Sequence, residues 1–264
     1  MRIIRYKYSE EISYGILKNE EIYSIEGDIF ENHKADKKIG LLKDVELLAP
    51  VEPPNIIAIG LNYRQHAVES GSDIPEKPVI FLKATTSITG PDSEIVLPKI
   101  AAEEVDYEAE LAVVIAKEMK NTETVSVSDH ILGYTCANDV SARDCQRRLD
   151  KQWARAKSFD TFCPLGPWIE TDLDPNNLKI SSILNGKVMQ DSHTSDMIFD
   201  IEQLLSYISH NMTLKPGTVI ITGTPEGVGF ARKEPVFLRE GDEIEIKIEG
   251  IGSLKNKVKK EKCF

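Results

Sequence analysis

The chain has 264 residues, 41% hydrophobic and 28% charged, ordinary globular usage that excludes a disordered or collagen-like polypeptide. With 43 Asp+Glu against 32 Lys+Arg the formal charge is −11, which excludes a duplex-binding surface built on clustered Lys and Arg, so no nucleic-acid partner is expected. The four cysteines, Cys136, Cys145, Cys163 and Cys263, show neither C-x-x-C nor zinc-finger spacing and read as free thiols in a reducing compartment.

In chain order, RIIRYKY, ISYGILK and EIYSI predict short strands separated by polar turns. They make a small N-terminal β-rich subdomain over residues 1–52, a meander covering one end of a larger body. The prolines of LLAPVEPPN mark its boundary, and the second domain spans 53–264. IIAIG then predicts a buried strand, NYRQHAVES a helix, and PVIFLK, YEAELAVVI and HILGYTCAND further strands. SARDCQRRL predicts a helix, SDMIFDIEQLLSYISHN ends in another, and GTVIITG and DEIEIKIEG are strands. Strands outnumber helices and the two do not alternate regularly, so an α+β, β-rich roll is expected rather than a doubly wound sheet. The last lysines, Lys255, Lys257, Lys259, Lys260 and Lys262, suggest a charged edge strand. The opening lacks a signal-peptide core and LAVVIA is too short to span a bilayer, so a soluble cytoplasmic protein with no membrane partner is expected.

The chemistry concentrates at a few strand ends. In EEVDYEAELAVVI, strand alternation places Asp106, Glu108 and Glu110 on one face beside an apolar run. Acids one strand repeat apart repel by about 2 kcal/mol at an effective dielectric near 20, and apolar neighbours raise that cost unless a cation is present. A solvated acidic face is the alternative. Asp139 follows a predicted strand at the Asn138-Asp139 turn, and Ser141 with Asp144 fits a capping box opening the next helix. Joined to the E-x-E, Asp139 would complete an all-oxygen site for Mg²⁺ or Mn²⁺. On that helix Arg143, Gln146 and Arg147 share a face, where an arginine can clamp a substrate carboxylate; a surface salt-bridge helix stays open for Arg147.

Upstream, Asn62 with Gln65 reads as an N-cap and Gly71 as a helix stop. His66 and Glu69 then fall i, i+3, a carboxylate beside an imidazole as a general base requires; an ordinary exposed pair is the alternative. Lys157 adjoins a loop rich in aromatics, glycine and proline, where it could supply a proton or bind an oxyanion. The Gly/Thr/Pro loop of VIITGTPEGVG offers backbone N–H groups and Thr224 to an anion. It lacks the Lys-Ser/Thr of a P-loop and a dinucleotide fingerprint.

The ordered segments GLNYRQHAVE, FLKATTSITG, DYEAELAVVI, YTCANDVSARD, AKSFDTFCPLGPW, LNGKVMQDSHTSDMIF and TGTPEGVG resemble the fumarylacetoacetate hydrolase family, from about Pro53 to the chain end. The resemblance implies a mixed β-sandwich roll, a homodimer, and Mg²⁺ or Mn²⁺ held by Glu108, Glu110 and Asp139. It implies a His66–Glu69 dyad on a segment closing over substrate, Lys157 beside the metal, and Arg143, Gln146 and Thr224 contacting a substrate carboxylate or oxyanion. The implied activity is metal-dependent C–C hydrolysis of acylpyruvate- or fumarylpyruvate-type 2-oxo carboxylates through an enolate. Isomerisation of a hydroxy-heptadienedioate and decarboxylation of oxaloacetate at the same site remain open, as does a non-catalytic protein binding metal or 2-oxo acid.

Overall fold

The computed structural model describes residues 1–262. At the N-terminus, strands Arg2–Tyr8, Glu11–Lys18 and Glu21–Gly27 pair in antiparallel register, as their alternation predicts. A fourth strand, His33–Leu41, extends the meander; its HKADKK stretch is mostly exposed and so carries no apolar alternation to betray it. Both faces of Arg2–Tyr8 are used. Ile4 and Tyr6 pack with Leu17 and Ile22, while Ile3 joins Val51, Ala58, Ala112 and Leu165. Arg2 stands opposite Glu170 and Ile3 opposite Ile169, so the strands of the meander continue the main sheet.

The main sheet proceeds from Arg2–Tyr8 through Cys163–Glu170, Ile131–Asn138, Ala109–Ile115, Val219–Ile221 and Ile56–Ile59 to Ile80–Lys83. Ala109–Ile115 is buried along its whole length, as its apolar run on both faces requires. A second sheet orders Lys187–His193, Lys179–Leu184, Glu243–Ile248, Gly252–Lys260 and Glu94–Leu97. Its inward Ile180, Ile244, Ile246, Ile248 and Leu254 share one core with Leu111, Val113, Tyr134 and Cys136 of the main sheet. Three pairings are parallel, Val219–Ile221 with Ile56–Ile59, Gly252–Lys260 with Glu94–Leu97 and Cys163–Glu170 with the short Ile88–Thr89, so the sheets are mixed. The α-helices among the described residues are Arg64–Ser70, Trp153–Ala156 and Ile201–Asn211, the last opened by a capping box of Asp200 and Gln203. The fold is therefore α+β and β-rich, as expected.

The lysine-rich strand corrects its expectation. Gly252–Lys260 is interior, with Lys257 opposite both Glu243 and Glu94. Leu254, Asn256 and Val258 face inward, and the alternating lysines belong to the sheet's outer face rather than to an edge. Cys136, Cys145 and Cys163 are buried free thiols; Cys263 lies outside the described residues. No helix among the described residues is long and apolar enough to cross a membrane.

Candidate active site

The E-x-E segment is not one regular strand. Val105–Asp106 pairs with Ser141–Ala142, and only from Ala109 does the chain enter the main sheet beside Ile131–Asn138. That break separates acids which simple alternation places together. Asp106 is clasped by Arg143 Nε at 2.9 Å and by the backbone N–H groups of Gly229 at 2.8 Å and Phe230 at 3.1 Å. Glu108 and Glu110 instead converge on Asp139, with one carboxylate oxygen of each residue lying within 4.8 Å of the other two. Asp139 follows the Ile131–Asn138 strand, and its N–H donates to the Glu108 carbonyl at 2.9 Å, which fixes the two stretches together.

All three carboxylates are at least 95% buried. Two unit charges 4.8 Å apart repel by about 3 kcal/mol at an effective dielectric near 20. Cations answer part of this. Lys157 Nζ donates to Glu108 Oε2 at 2.7 Å and to Asp139 Oδ2 at 2.5 Å. Arg143 Nη2 donates to Glu108 Oε1 at 2.5 Å. Lys83 Nζ pairs with the other Asp139 oxygen and donates to the Phe162 carbonyl at 2.9 Å. Glu110 has no cationic partner among the described residues; it accepts the Gly223 N–H at 2.7 Å.

The proton affinities follow this division. Burial pushes the Glu108 carboxyl up, but Lys157 and Arg143 outweigh it and hold the group down at about 2. Burial, then the Asp139 and Glu108 charges, hold the Glu110 carboxyl well above the usual carboxylate range. Burial opposes the Lys157 charge, yet Asp139 and Glu108 more than offset it, so its ammonium is held more firmly than an ordinary lysine's. Three buried hard-oxygen donors, one lacking any positive partner, suit a divalent cation such as Mg²⁺ or Mn²⁺.

His66 is 7% exposed, so the dyad is not an ordinary surface pair. Its Nδ1 lies 3.2 Å from Glu69 Oε2, and Glu69 also accepts the Gly227 N–H at 2.9 and 3.1 Å, clipping the Arg64–Ser70 helix to the Gly/Thr/Pro loop. Gly71 ends that helix at φ 63°, as predicted. Its start differs from the prediction. Tyr63 is the cap residue without a side-chain bond, and Asn62 is buried, binding Phe199 N–H and the Phe199 and Thr222 carbonyls. The cap comes from 131 residues away: Asp196 Oδ2 accepts the Gln65 N–H at 2.9 Å.

The capping box predicted at Ser141 is also replaced. Ser141 enters the short strand against Asp106 and its hydroxyl donates to the Asp139 carbonyl, while Asp144 caps a π-helical turn over Cys145–Leu149. Arg143 is therefore anchored, between Asp106, Glu108 and Gln146 Oε1 at 2.9 Å. The Gln146 N–H₂ makes no bond among the described side chains. The Thr224 hydroxyl is committed to the Ala109 carbonyl at 3.0 Å and Gln190 Nε2 at 2.8 Å, so its contribution is to hold the loop on the strand. A cavity of about 160 Å³ brings together His66, Glu108, Arg143, Gln146 and Lys157, with Arg147 and Phe230 among its other walls. Sequence reasoning missed Lys83, Asp196 and the structural role of Asp106. Each acts through a partner distant in the chain.

A sequence profile described as Fumarylacetoacetate (FAA) hydrolase C-terminal matches residues 55–259, and one described as Rv2993c-like, N-terminal matches residues 1–50. The chain is 48% identical over 218 residues to oxaloacetate tautomerase Fahd2a, mitochondrial, of Rattus norvegicus, a match covering 81% of this chain and 69% of the relative. Its structure is similar to that of 5-carboxymethyl-2-hydroxymuconate delta-isomerase from Mycobacterium smegmatis, with a TM-score of 0.89, 43% identity, and coverage of 99% of this chain and 100% of that one. It is also similar to maleylpyruvate hydrolase from Sphingobium sp. SYK-6 in complex with manganese (II) ion and pyruvate, with a TM-score of 0.79, 28% identity, and coverage of 99% and 100%. With the expected fold, the buried acidic trio and a profile match spanning most of its length, the chain belongs to the fumarylacetoacetate hydrolase family.

Proposed function

We propose that the chain is a divalent-metal-dependent enzyme that interconverts the keto and enol forms, or shifts a double bond, of a small 2-oxo carboxylate. The observation supporting this reading is the Glu108–Glu110–Asp139 trio, whose Glu108 lines one cavity with Lys157 and with His66 of the His66–Glu69 dyad. A bound Mg²⁺ or Mn²⁺, held by Glu108, Glu110 and Asp139, would supply Lewis acidity at the keto oxygen. Glu69 accepts from Nδ1 of His66 and thereby leaves Nε2 as the free base to take and return a proton at the carbon beside the keto group. Lys157, fixed as an ammonium, contributes positive charge where enolate charge develops and is not itself the base. The Gln146 amide and the anchored Arg143 orient the substrate carboxylate. Similarity to the rat oxaloacetate tautomerase favours proton relocation.

Hydrolysis of an acylpyruvate C–C bond, the first expectation from sequence, is the second reading, favoured by likeness to the maleylpyruvate hydrolase. There the same imidazole would activate water against the distant carbonyl. A cytoplasmic homodimer is the proposed setting, in keeping with the family's habit and the buried free thiols.

The test is a panel of oxaloacetate, acylpyruvates and dienedioates, assayed with Mg²⁺ or Mn²⁺ and again with EDTA. Turnover that EDTA removes and metal restores is expected, with His66→Ala inactive yet still binding metal. If no member turns over with either metal, the chain is a binding protein and the enzymatic reading falls.

A further inference from the structure

Three cations line the cavity that holds His66: Arg143, Lys157 and Arg147. Two are engaged by protein carboxylates, Arg143 by Asp106 and Glu108 and Lys157 by Glu108 and Asp139. Arg147 differs. Its neighbour Arg148 pairs with Glu104 at 3.0 Å, and Arg155 pairs with Asp150, but Arg147 makes no ion pair or side-chain hydrogen bond among the described residues. Its guanidinium carbon instead lies 3.7 Å from the centroid of the Phe230 ring, which also carries Arg143 at 4.3 Å.

Stacking on an aromatic ring fixes the guanidinium plane while leaving its in-plane N–H fork free. Arg147 is exposed, whereas Glu108, Glu110 and Asp139 are buried, so the stacked fork stands on the solvent side of the cavity. The uncharged polar residues of the cavity wall are Ser70, Ser72 and Gln146. An acid whose head sits among the buried groups must run its tail outward, and a tail ending in a carboxylate finds its charge partner there.

We propose that Arg147 is a specificity-determining residue that receives the distal carboxylate of a dicarboxylic 2-oxo acid. The inference rests on the 2-oxo acid reading of this cavity and narrows it to dianionic ligands. A planar fork held by Phe230 matches a carboxylate with two parallel N–H···O bonds, which a lysine at the same place cannot reproduce. A purely structural role, holding Phe230 over Arg143, would change stability without changing the preference between ligands.

The test is calorimetric binding to the full chain loaded with Mn²⁺. Its ligands are 2-oxoglutarate and 2-oxoadipate set against the length-matched monoacids 2-oxopentanoate and 2-oxohexanoate. The wild type should bind at least one diacid about tenfold tighter than its matched monoacid, roughly one charge-assisted bond at a partly wet site. Arg147→Met should erase that preference by weakening the diacid alone, and Arg147→Lys should keep part of it. A wild type that binds both classes equally, or an Arg147→Met variant that retains the preference, overturns the assignment. If the Mn²⁺-loaded wild type binds neither class, the 2-oxo acid reading itself fails and this assignment with it.

Discussion

Lys83 and Asp139, 56 residues apart in sequence, form an ion pair whose side chains are 0% and 1% exposed. Lys83 ends the last strand of the main sheet, and its ammonium is held by a carboxylate that also belongs to the acidic trio. Breaking a buried pair by removing one partner leaves an uncompensated charge and costs about 3–5 kcal/mol. Lys83→Met should therefore destabilise the apoprotein, by less than that amount because Lys157 still pairs with Asp139. A divalent cation at Asp139 replaces part of the missing charge, so the deficit should shrink in Mg²⁺ relative to EDTA. Urea denaturation in the two buffers measures it, and equal deficits in both would remove Asp139 from the ligand set.

Glu110 leads to the opposite expectation. It is buried against two other carboxylates with no cation of its own, so its ionised form is costly without metal. Glu110→Gln keeps shape and removes charge, and in EDTA its stability should lie within about 0.5 kcal/mol of the wild type or above it. With Mn²⁺ the order reverses, because the wild type gains metal-linked stability, about 2.7 kcal/mol at a hundredfold excess over Kd, that the variant lacks. Thermal unfolding against Mn²⁺ concentration reads both limbs. A variant stabilised by Mn²⁺ as strongly as the wild type would place the metal elsewhere.

Asp196 positions the dyad from a distance. Its carboxylate caps the first turn of the Arg64–Ser70 helix at the Gln65 N–H, and Arg64 donates back to the Asp196 carbonyl at 3.2 Å. Losing a cap costs about 1 kcal/mol, small for the fold but large for a helix of 7 residues that carries His66. Asp196→Ala should lower kcat at least about tenfold with global stability reduced by only about 1 kcal/mol, while Asp196→Asn, which can still accept the N–H, recovers most of the rate. Paired denaturation and rate measurements separate the two effects; a rate loss that Asn fails to recover would assign Asp196 some other task.

These cases show what local sequence can and cannot carry. The pairs Glu108 with Glu110 and His66 with Glu69 were legible because each sits in one short motif whose spacing implies proximity, whereas Asp139 lies in a separate stretch and was joined to the E-x-E through the family resemblance. The main strands were legible from their apolar runs. Asn62 and Ser141 misled because both match a local capping signature, yet tertiary partners claim them: Asn62 ties Phe199 to Thr222, and Ser141 pairs in a strand opposite Asp106. Asp106 misled for the same reason, since alternation is broken between it and Glu108. Lys83 gave no signal, as a lysine ending an apolar strand ordinarily faces water. The lysines of Gly252–Lys260 looked like an edge because their second partner, Glu94–Leu97, lies more than 150 residues upstream.

Gly229 tests whether the Asp106 clasp matters to the site. A Cβ there would lie 2.0 Å from the Val236 carbonyl oxygen and 2.4 Å from Asp106 Oδ1, so the backbone must move if any side chain is added. Movement withdraws the Gly229 and Phe230 N–H groups from Asp106, which loosens one of the three side chains that anchor Arg143. Phe230, which stacks with Arg143 and meets His66 edge-on at 6.4 Å, shifts with the loop. Overpacking of this kind costs about 1–3 kcal/mol. Gly229→Ala should accordingly lose about 2 kcal/mol of stability and most of its turnover, while Mn²⁺ affinity, which the proposal assigns to Glu108, Glu110 and Asp139, should fall far less. Mn²⁺ titration of the variant beside its steady-state rate decides the point: equal collapse of both would mean that the clasp supports the metal ligands directly rather than the substrate side of the cavity.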